Sequence, residues 1–209
     1  MWTLYYAPGT CALATHIALE EAGAAYQTSR VDFAAAAQRS PAYLEINPKG
    51  RVPALVTERG TLTETPALLL FVAQSFPSAA LAPLDDPMAL AHLQEFNSYL
   101  CSTVHVAHAH KTRGPRWSDD AEAIESMKRR VTRNMTECSE LIERQMFRGP
   151  WVMGEQFTIC DPYLYTVGRW LEGDGVDESK LPLITGHRAR MEARPTVRRV
   201  LAAEGTPVS

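Results

Sequence analysis

Of the four cysteines in this 209-residue chain, Cys11 has the placement that changes a thiol's chemistry. It follows a short β-rich stretch, Trp2 to Tyr6, and the turn Ala7-Pro8-Gly9-Thr10, and so opens the first helix. Unpaired backbone N–H groups and the helix dipole favour a thiolate at such a point, which makes Cys11 the candidate nucleophile or thiol-exchange residue. Cys101, Cys138 and Cys160 fall inside helical stretches and read as small core hydrophobes. No two cysteines are spaced C-x-x-C, a pattern that argues against a zinc knuckle and against a secreted disulfide framework.

Two further segments could hold a ligand. Val52-Pro53 begins a strand, and a cis bond there would turn the Val52 backbone outward to take an extended peptide like an added strand. Trans is the commoner X-Pro state, so the residues alone leave both open. Thr63-Glu64-Thr65-Pro66 ends a strand and opens a helix, with Pro66 suited to the first helical position and Thr65 to the N-cap. Beside that structural reading stands a functional one. The helix N-terminus with the Thr65 hydroxyl accepts a carboxylate and Glu64 accepts an ammonium, the two ends of an amino-acid zwitterion.

The remaining candidates read as structural. His105 and His108 share a helix face, but His110 points elsewhere and no carboxylate or thiol joins them at a ligand spacing, so no metal site is expected. His16 and His92 are expected at a helix surface or a domain contact. Thr158-Ile159-Cys160-Asp161 is a capping box with Asp161 in place of the usual Glu or Gln. Arg188, Arg190, Arg194, Arg198 and Arg199 lack interleaved aromatics and read as a solvated helix face rather than a nucleic-acid surface.

The elements that must position these groups divide into two kinds. Residues 1–77 alternate in period: strand to Tyr6, helix from Cys11 to Ala22, strand from Tyr26 to Val31, a short helix within Phe33 to Leu44 interrupted at Ser40-Pro41, a hairpin over Val52 to Thr63 and a helix from Pro66 to Ser75. This β-α-β-α-β-β-α order predicts one mixed sheet with helices on both faces. A proline-rich linker over 78–87 leads to residues 88–209, which predict an all-helical domain with helices near 88–111, 118–146, 158–173, 181–193 and 195–203. The fold class is therefore α/β followed by all-α.

Composition sets the partners. Hydrophobic residues at 45% and charged residues at 22% fit a folded chain, and a formal charge of -3 gives no global pull toward nucleic acid or anionic lipid. The longest apolar run, Ala67 to Ala73, is far short of the roughly 20 residues that cross a bilayer. The expectation is a cytoplasmic protein whose partner is a small molecule or another protein.

Taken together these residues resemble the glutathione transferase superfamily over nearly the whole chain. Tyr5 to Leu19 is similar to the opening of the bacterial beta class, and Asn47-Pro48-Lys49-Gly50-Arg51-Val52-Pro53-Ala54-Leu55 to its cis-proline segment; the Thr158 box matches too. The resemblance implies a thioredoxin-like first domain, glutathione as co-substrate, and a homodimer. It implies that Cys11 can form a mixed disulfide with glutathione, that Val52 before cis-Pro53 meets the cysteinyl unit, that Glu64 and Thr65 hold the γ-glutamyl end, and that His105 reaches the site from the helical domain. The family's lysine after the second strand falls within Ala34 to Ala37, which leaves Lys49 or an arginine to meet the glycyl carboxylate. The family's asparagine two turns before His105 aligns with Ser98, and Pro66 replaces a small residue after Thr65.

Two chemistries follow from that resemblance. In one, Thr10, the Cys11 backbone N–H or His105 stabilises a glutathione thiolate that attacks a hydrophobic electrophile, as in detoxification; in the other, Cys11 exchanges disulfides or removes glutathione from a conjugate. Pro8, His105, His108 and Trp117 are expected to line the electrophile's pocket. The rival is a non-catalytic scaffold of the same fold that binds hydrophobic ligands or a protein.

Overall fold

The computed structural model describes residues 1–207. The first half runs β1 (Trp2–Tyr6), α1 (Ala12–Glu21), β2 (Tyr26–Arg30), α2 (Pro41–Ile46), β3 (Ala54–Thr57), β4 (Gly60–Thr63), α3 (Thr65–Ser75). The sheet order is β2-β1-β3-β4. β1 lies parallel to β2, with Trp2 opposite Tyr26, and antiparallel to β3, with Leu4 opposite Leu55. β4 then turns back on β3. Parallel neighbours need a crossover, and α1 is that crossover.

The helix expected within Phe33 to Leu44 is shifted. Ala37–Arg39 forms a single 3-10 turn, and Ser40-Pro41 starts α2 instead of interrupting a helix. The reason is local: the Ser40 hydroxyl accepts the Tyr43 N–H at 3.2 Å, and Pro41 takes the first position, where no amide is needed. Thr65 likewise is the first residue of α3 rather than its cap, and Glu64 occupies the cap position.

From Ala12 to Leu19 every residue of α1 is buried, as expected of a helix packed on all sides. Leu13 and Ile17 pack with Tyr165, Met191, Val197 and Leu201 of the second half, while Ala14 and Ala18 join the main core. The second half is helical: α4 (Pro87–Tyr99), a π-turn at Leu100–Val104, α5 (His105–Ala109), α6 (Ala121–Leu141), α7 (Cys160–Gly168), α8 (Pro182–Ala193) and α9 (Pro195–Glu204). Asp86 and Asp120 cap α4 and α6 by accepting backbone N–H groups. Among the described residues none of these helices is long and apolar enough to cross a membrane.

The Thr158 box forms. The Thr158 N–H donates to Asp161 Oδ2 at 2.6 Å and the Cys160 N–H to the Thr158 hydroxyl at 3.3 Å. The fully buried Asp161 also accepts the Val152 N–H at 2.9 Å and meets His187 Nε2 at 3.0 Å.

The C-terminal arginines are a solvated face only in part: Arg198 and Arg199 are exposed, while Arg188, Arg190 and Arg194 are half-buried. Arg194 grips Glu21 through two bonds of 2.7 and 2.6 Å, Arg199 reaches Glu20 at 2.8 Å, and His16 meets Glu204 at 2.8 Å in a buried pair. Arg194 also stacks 4.2 Å above Phe157. Together they tie α1 to α9 and its approach, and the acidic end of α1 that a sequence reads as polar surface is the other half of that seam.

Candidate functional site

A cleft of about 450 Å³ lies between the sheet half and the helical half. Its sheet wall carries Gly9, Thr10, Cys11, Val52, Pro53, Glu64 and Thr65, and its helical wall His105, His108, Arg113, Arg116, Trp117 and Trp170. Trp170 bridges the two, its indole N–H donating to the Gly9 carbonyl at 3.1 Å.

Three elements meet at the sulfur. Cys11 enters from the start of α1, Val52 from the segment before β3, and Thr65 from the start of α3. The Val52-Pro53 peptide is cis. The Cys11 thiol donates to the Val52 carbonyl at 3.6 Å, and the Thr65 hydroxyl also hydrogen-bonds with the sulfur. Burial pushes the thiol up to about 11, outweighing the lowering by Thr65 and by its own backbone. Burial thus works against the thiolate expected from the helix N-terminus, and the thiol is the favoured form at neutral pH. In the free protein Cys11 is a hydrogen-bond donor.

Thr10 is also occupied. Its hydroxyl donates to the Ala7 carbonyl at 2.7 Å and accepts the Ala12 N–H at 3.3 Å, so it caps α1. The loop that carries Val52 is fixed from behind. Asn47 Nδ2 and the Tyr43 hydroxyl both donate to the Arg51 carbonyl at 2.7 Å, and Gly50 at φ +59 lets the Gln38-Arg39 turn approach so closely that a Cβ would meet the Gln38 carbonyl at 2.9 Å. Glu64 sits at φ +72, a conformation that costs a non-glycine residue roughly 1–3 kcal/mol and that clusters at ligand sites.

Lys49 departs from its expected place. It does not line the cleft; its ammonium is bonded to the Glu64 carboxylate and to the Thr63 hydroxyl. A cation held on Glu64 stands at the γ-glutamyl end of the expected ligand, not at the glycyl end. Two arginines do line the cleft: Arg39, two residues beyond Ala34 to Ala37, and Arg51.

His105 is mostly buried, and burial, then His108, Arg116 and Arg51, push it down to about 4, so its ring is neutral at physiological pH. His108 stacks on Trp170 at 4.3 Å and bonds Asp174 at 2.7 Å. Pro8 does not line the cleft, whereas Gly9 does. The sequence reading missed Cys101, Tyr163, Arg39, Arg51, Arg113 and Arg116 as lining residues. Cys101 and Tyr163 carry no signal beyond a helical period, but the Arg113-x-x-Arg116-Trp117 run after the histidine-rich helix is a basic-aromatic pattern that could have been singled out. No group of three or more His, Cys, Asp or Glu side chains converges as a metal site among the described residues.

The sheet, the buried α1 and the cis-proline wall define a thioredoxin-like domain carrying a helical partner. Residues 2–74 match the family model described as glutathione S-transferase, N-terminal domain. The chain is 32% identical over 204 residues to glutathione S-transferase GstA of Escherichia coli O157:H7, covering 97% of this chain and 98% of that one. Among solved structures, a glutathione transferase homologue from Sulfitobacter with bound glutathione is 49% identical with a TM-score of 0.95, covering 99% of both chains. The bacterial beta class enzyme of Sphingomonas chungbukensis is 33% identical with a TM-score of 0.84, covering 98% of this chain and 100% of that one. This chain belongs to the glutathione S-transferase family.

Proposed function

We propose that glutathione lies along the sheet wall, its cysteinyl unit at Val52, its γ-glutamyl end at Glu64 and Thr65, and its glycyl carboxylate at Arg39 or Arg51. The observation that carries this reading is the convergence of Cys11, Val52 and the Glu64-Thr65 pair, from three separate segments, on one face of the cleft. The transfer itself is a displacement. The bound thiol loses its proton to solvent, the thiolate forms a C–S bond with an electrophilic carbon, and the leaving group departs with the bonding pair.

The field of the cleft favours that thiolate. The arginines that push His105 down, Arg116 and Arg51, act in the opposite sense on an anion, and the α1 N-terminus, the Cys11 S–H and a neutral His105 ring supply hydrogen-bond donors. Cys11 exchange chemistry is the lesser role, because the thiol is the favoured form at neutral pH. A hydrophobic electrophile entering between the halves, a cytoplasmic homodimer, a role in detoxification and the division at 1–77 and 88–209 belong to the same proposal.

Calorimetric titration of the reduced protein with glutathione tests it. Micromolar to low-millimolar binding that weakens in Glu64→Gln and Thr65→Ala is the expected result. Absence of binding would overturn it in favour of a scaffold of the same fold. Replacement of Cys11 by alanine should keep most conjugation and remove any disulfide exchange; conjugation lost with Cys11 would reverse the two roles.

A further inference from the structure

The helical wall holds charge that the glutathione reading does not use. Four guanidinium groups, Arg39, Arg51, Arg113 and Arg116, line this cleft of a chain whose net charge is -3. Among the described residues no carboxylate pairs with any of them; the same holds for exposed arginines such as Arg59 and Arg129, and what sets these four apart is that they line a single cavity. Glu64 is the one carboxylate lining the cleft, and Lys49 already holds it. Solvated arginines on an ordinary surface spread apart. These line one cavity, and Arg116 is pushed down first by burial and then by Arg51, Arg113 and Arg39 in turn.

Glutathione brings one glycyl carboxylate, and Arg39 and Arg51 stand on the sheet half that would receive it. Arg113 and Arg116 belong to the helical half, on either side of Gly114-Pro115 and next to Trp117. Trp117 is 45% exposed inside the cleft region, its ring 4.4 Å from His110, and across from it Trp170 presents a ring already flanked by His105 and His108. Exposed indole beside unpaired guanidinium is a surface with an apolar face and a cationic edge.

We propose that this wall is the subsite of an anionic aromatic co-substrate, its ring held among Trp117 and Trp170 and its carboxylate held by Arg113 and Arg116. The proposal rests on the glutathione reading and names the class of electrophile that site would take: an aryl compound bearing a carboxylate, in preference to its neutral counterpart. The carboxylate takes no part in the displacement; it fixes the ring relative to the sulfur and raises the local concentration of the acid.

The test is a titration of the full chain with two thioethers that differ only in charge, S-(4-carboxybenzyl)glutathione and its benzoate methyl ester. The acid is expected to bind about tenfold tighter, as a charge-assisted bond to arginine should give. That ratio should shrink as salt rises from about 20 to about 300 mM. In the Arg113→Gln/Arg116→Gln double variant the ratio should fall to about one whatever the absolute affinities, and Arg116→Lys, which keeps the charge, should retain part of it. Equal affinities in the unmodified protein, or a ratio that survives the double substitution, would overturn the subsite and leave the glutathione site standing. Failure of glutathione and both thioethers to bind would overturn the glutathione site and the subsite built on it.

Discussion

The seam between α1 and α9 and the cleft on the other side of α1 are made from the same residue types, and they differ in whether the charges are matched. In the seam Glu20, Glu21, Glu204 and His16 all have partners, and Arg194 and Arg199 are spent on them. In the cleft four arginines line a cavity with one carboxylate between them, itself paired with Lys49. The contrast separates structure from function. Removing one member of a matched buried pair leaves an uncompensated charge, so such groups hold the fold. Unmatched charge in a cavity does nothing for the fold and is available to a ligand.

The largest expected effect tests the same rule in a second matched network, away from the seam, through Asp161→Asn. Asp161 is fully buried and serves the Val152 and Thr158 amides and His187 together, so its replacement should cost about 3–5 kcal/mol, read as a lower midpoint in urea. A loss below about 1 kcal/mol would mean that the matched network does not hold the fold, and the comparison would fail on its structural side. Next in size is the cleft's own acid, Glu64. Glu64→Gln should raise the glutathione Kd about 30-fold, the loss of one charged hydrogen bond, with the urea midpoint little changed because its ion pair with Lys49 is exposed.

His105 gives a pH handle of similar size. Its folded value near 4 lies below the ordinary 6.5, so between those values the unfolded chain binds more protons than the folded one. Stability is fully present above about pH 6.5 and falls as the pH drops toward 4, by about 3 kcal/mol for this group. His105→Gln should flatten that part of the pH-stability curve; an unchanged slope would mean the ring is solvated and not under the arginines' field.

Smaller still is the difference between Arg39 and Lys49. Arg39→Gln should weaken glutathione about tenfold, whereas Lys49→Met, removing a cation held on Glu64, should change it less than about threefold. The reverse order would return the glycyl carboxylate to Lys49.

How much of this was legible in the sequence follows the same division. The strand-turn-helix around Cys11, the strand that Val52-Pro53 begins, the Glu64-Thr65 junction and the Thr158 box are local patterns, and the structure places the first three on one wall and forms the fourth. What depends on distant neighbours was not readable. Helix position argued for a Cys11 thiolate, but burial of the sulfur outweighs it and the lowering by Thr65. Cys101 reads as core, yet lies beside the cleft on the π-turn that precedes His105. Arginine is ambiguous in any sequence: Arg194 and Arg113 look alike until Glu21 is found beside one and no carboxylate beside the other.

The smallest predicted effect bears most directly on the cleft. If Arg116 is held near Arg51, Arg113 and Arg39 without compensation, then Arg116→Gln relieves repulsion and should raise the melting temperature by about 1 °C at low salt. The gain should disappear in high salt, where the four charges are screened from one another, and it should also disappear when an aromatic carboxylate is bound, because the ligand supplies the missing negative charge. A variant that melts lower than the parent at low salt would show that Arg116 has a stabilising partner in solution, and the cleft would then belong with the seam.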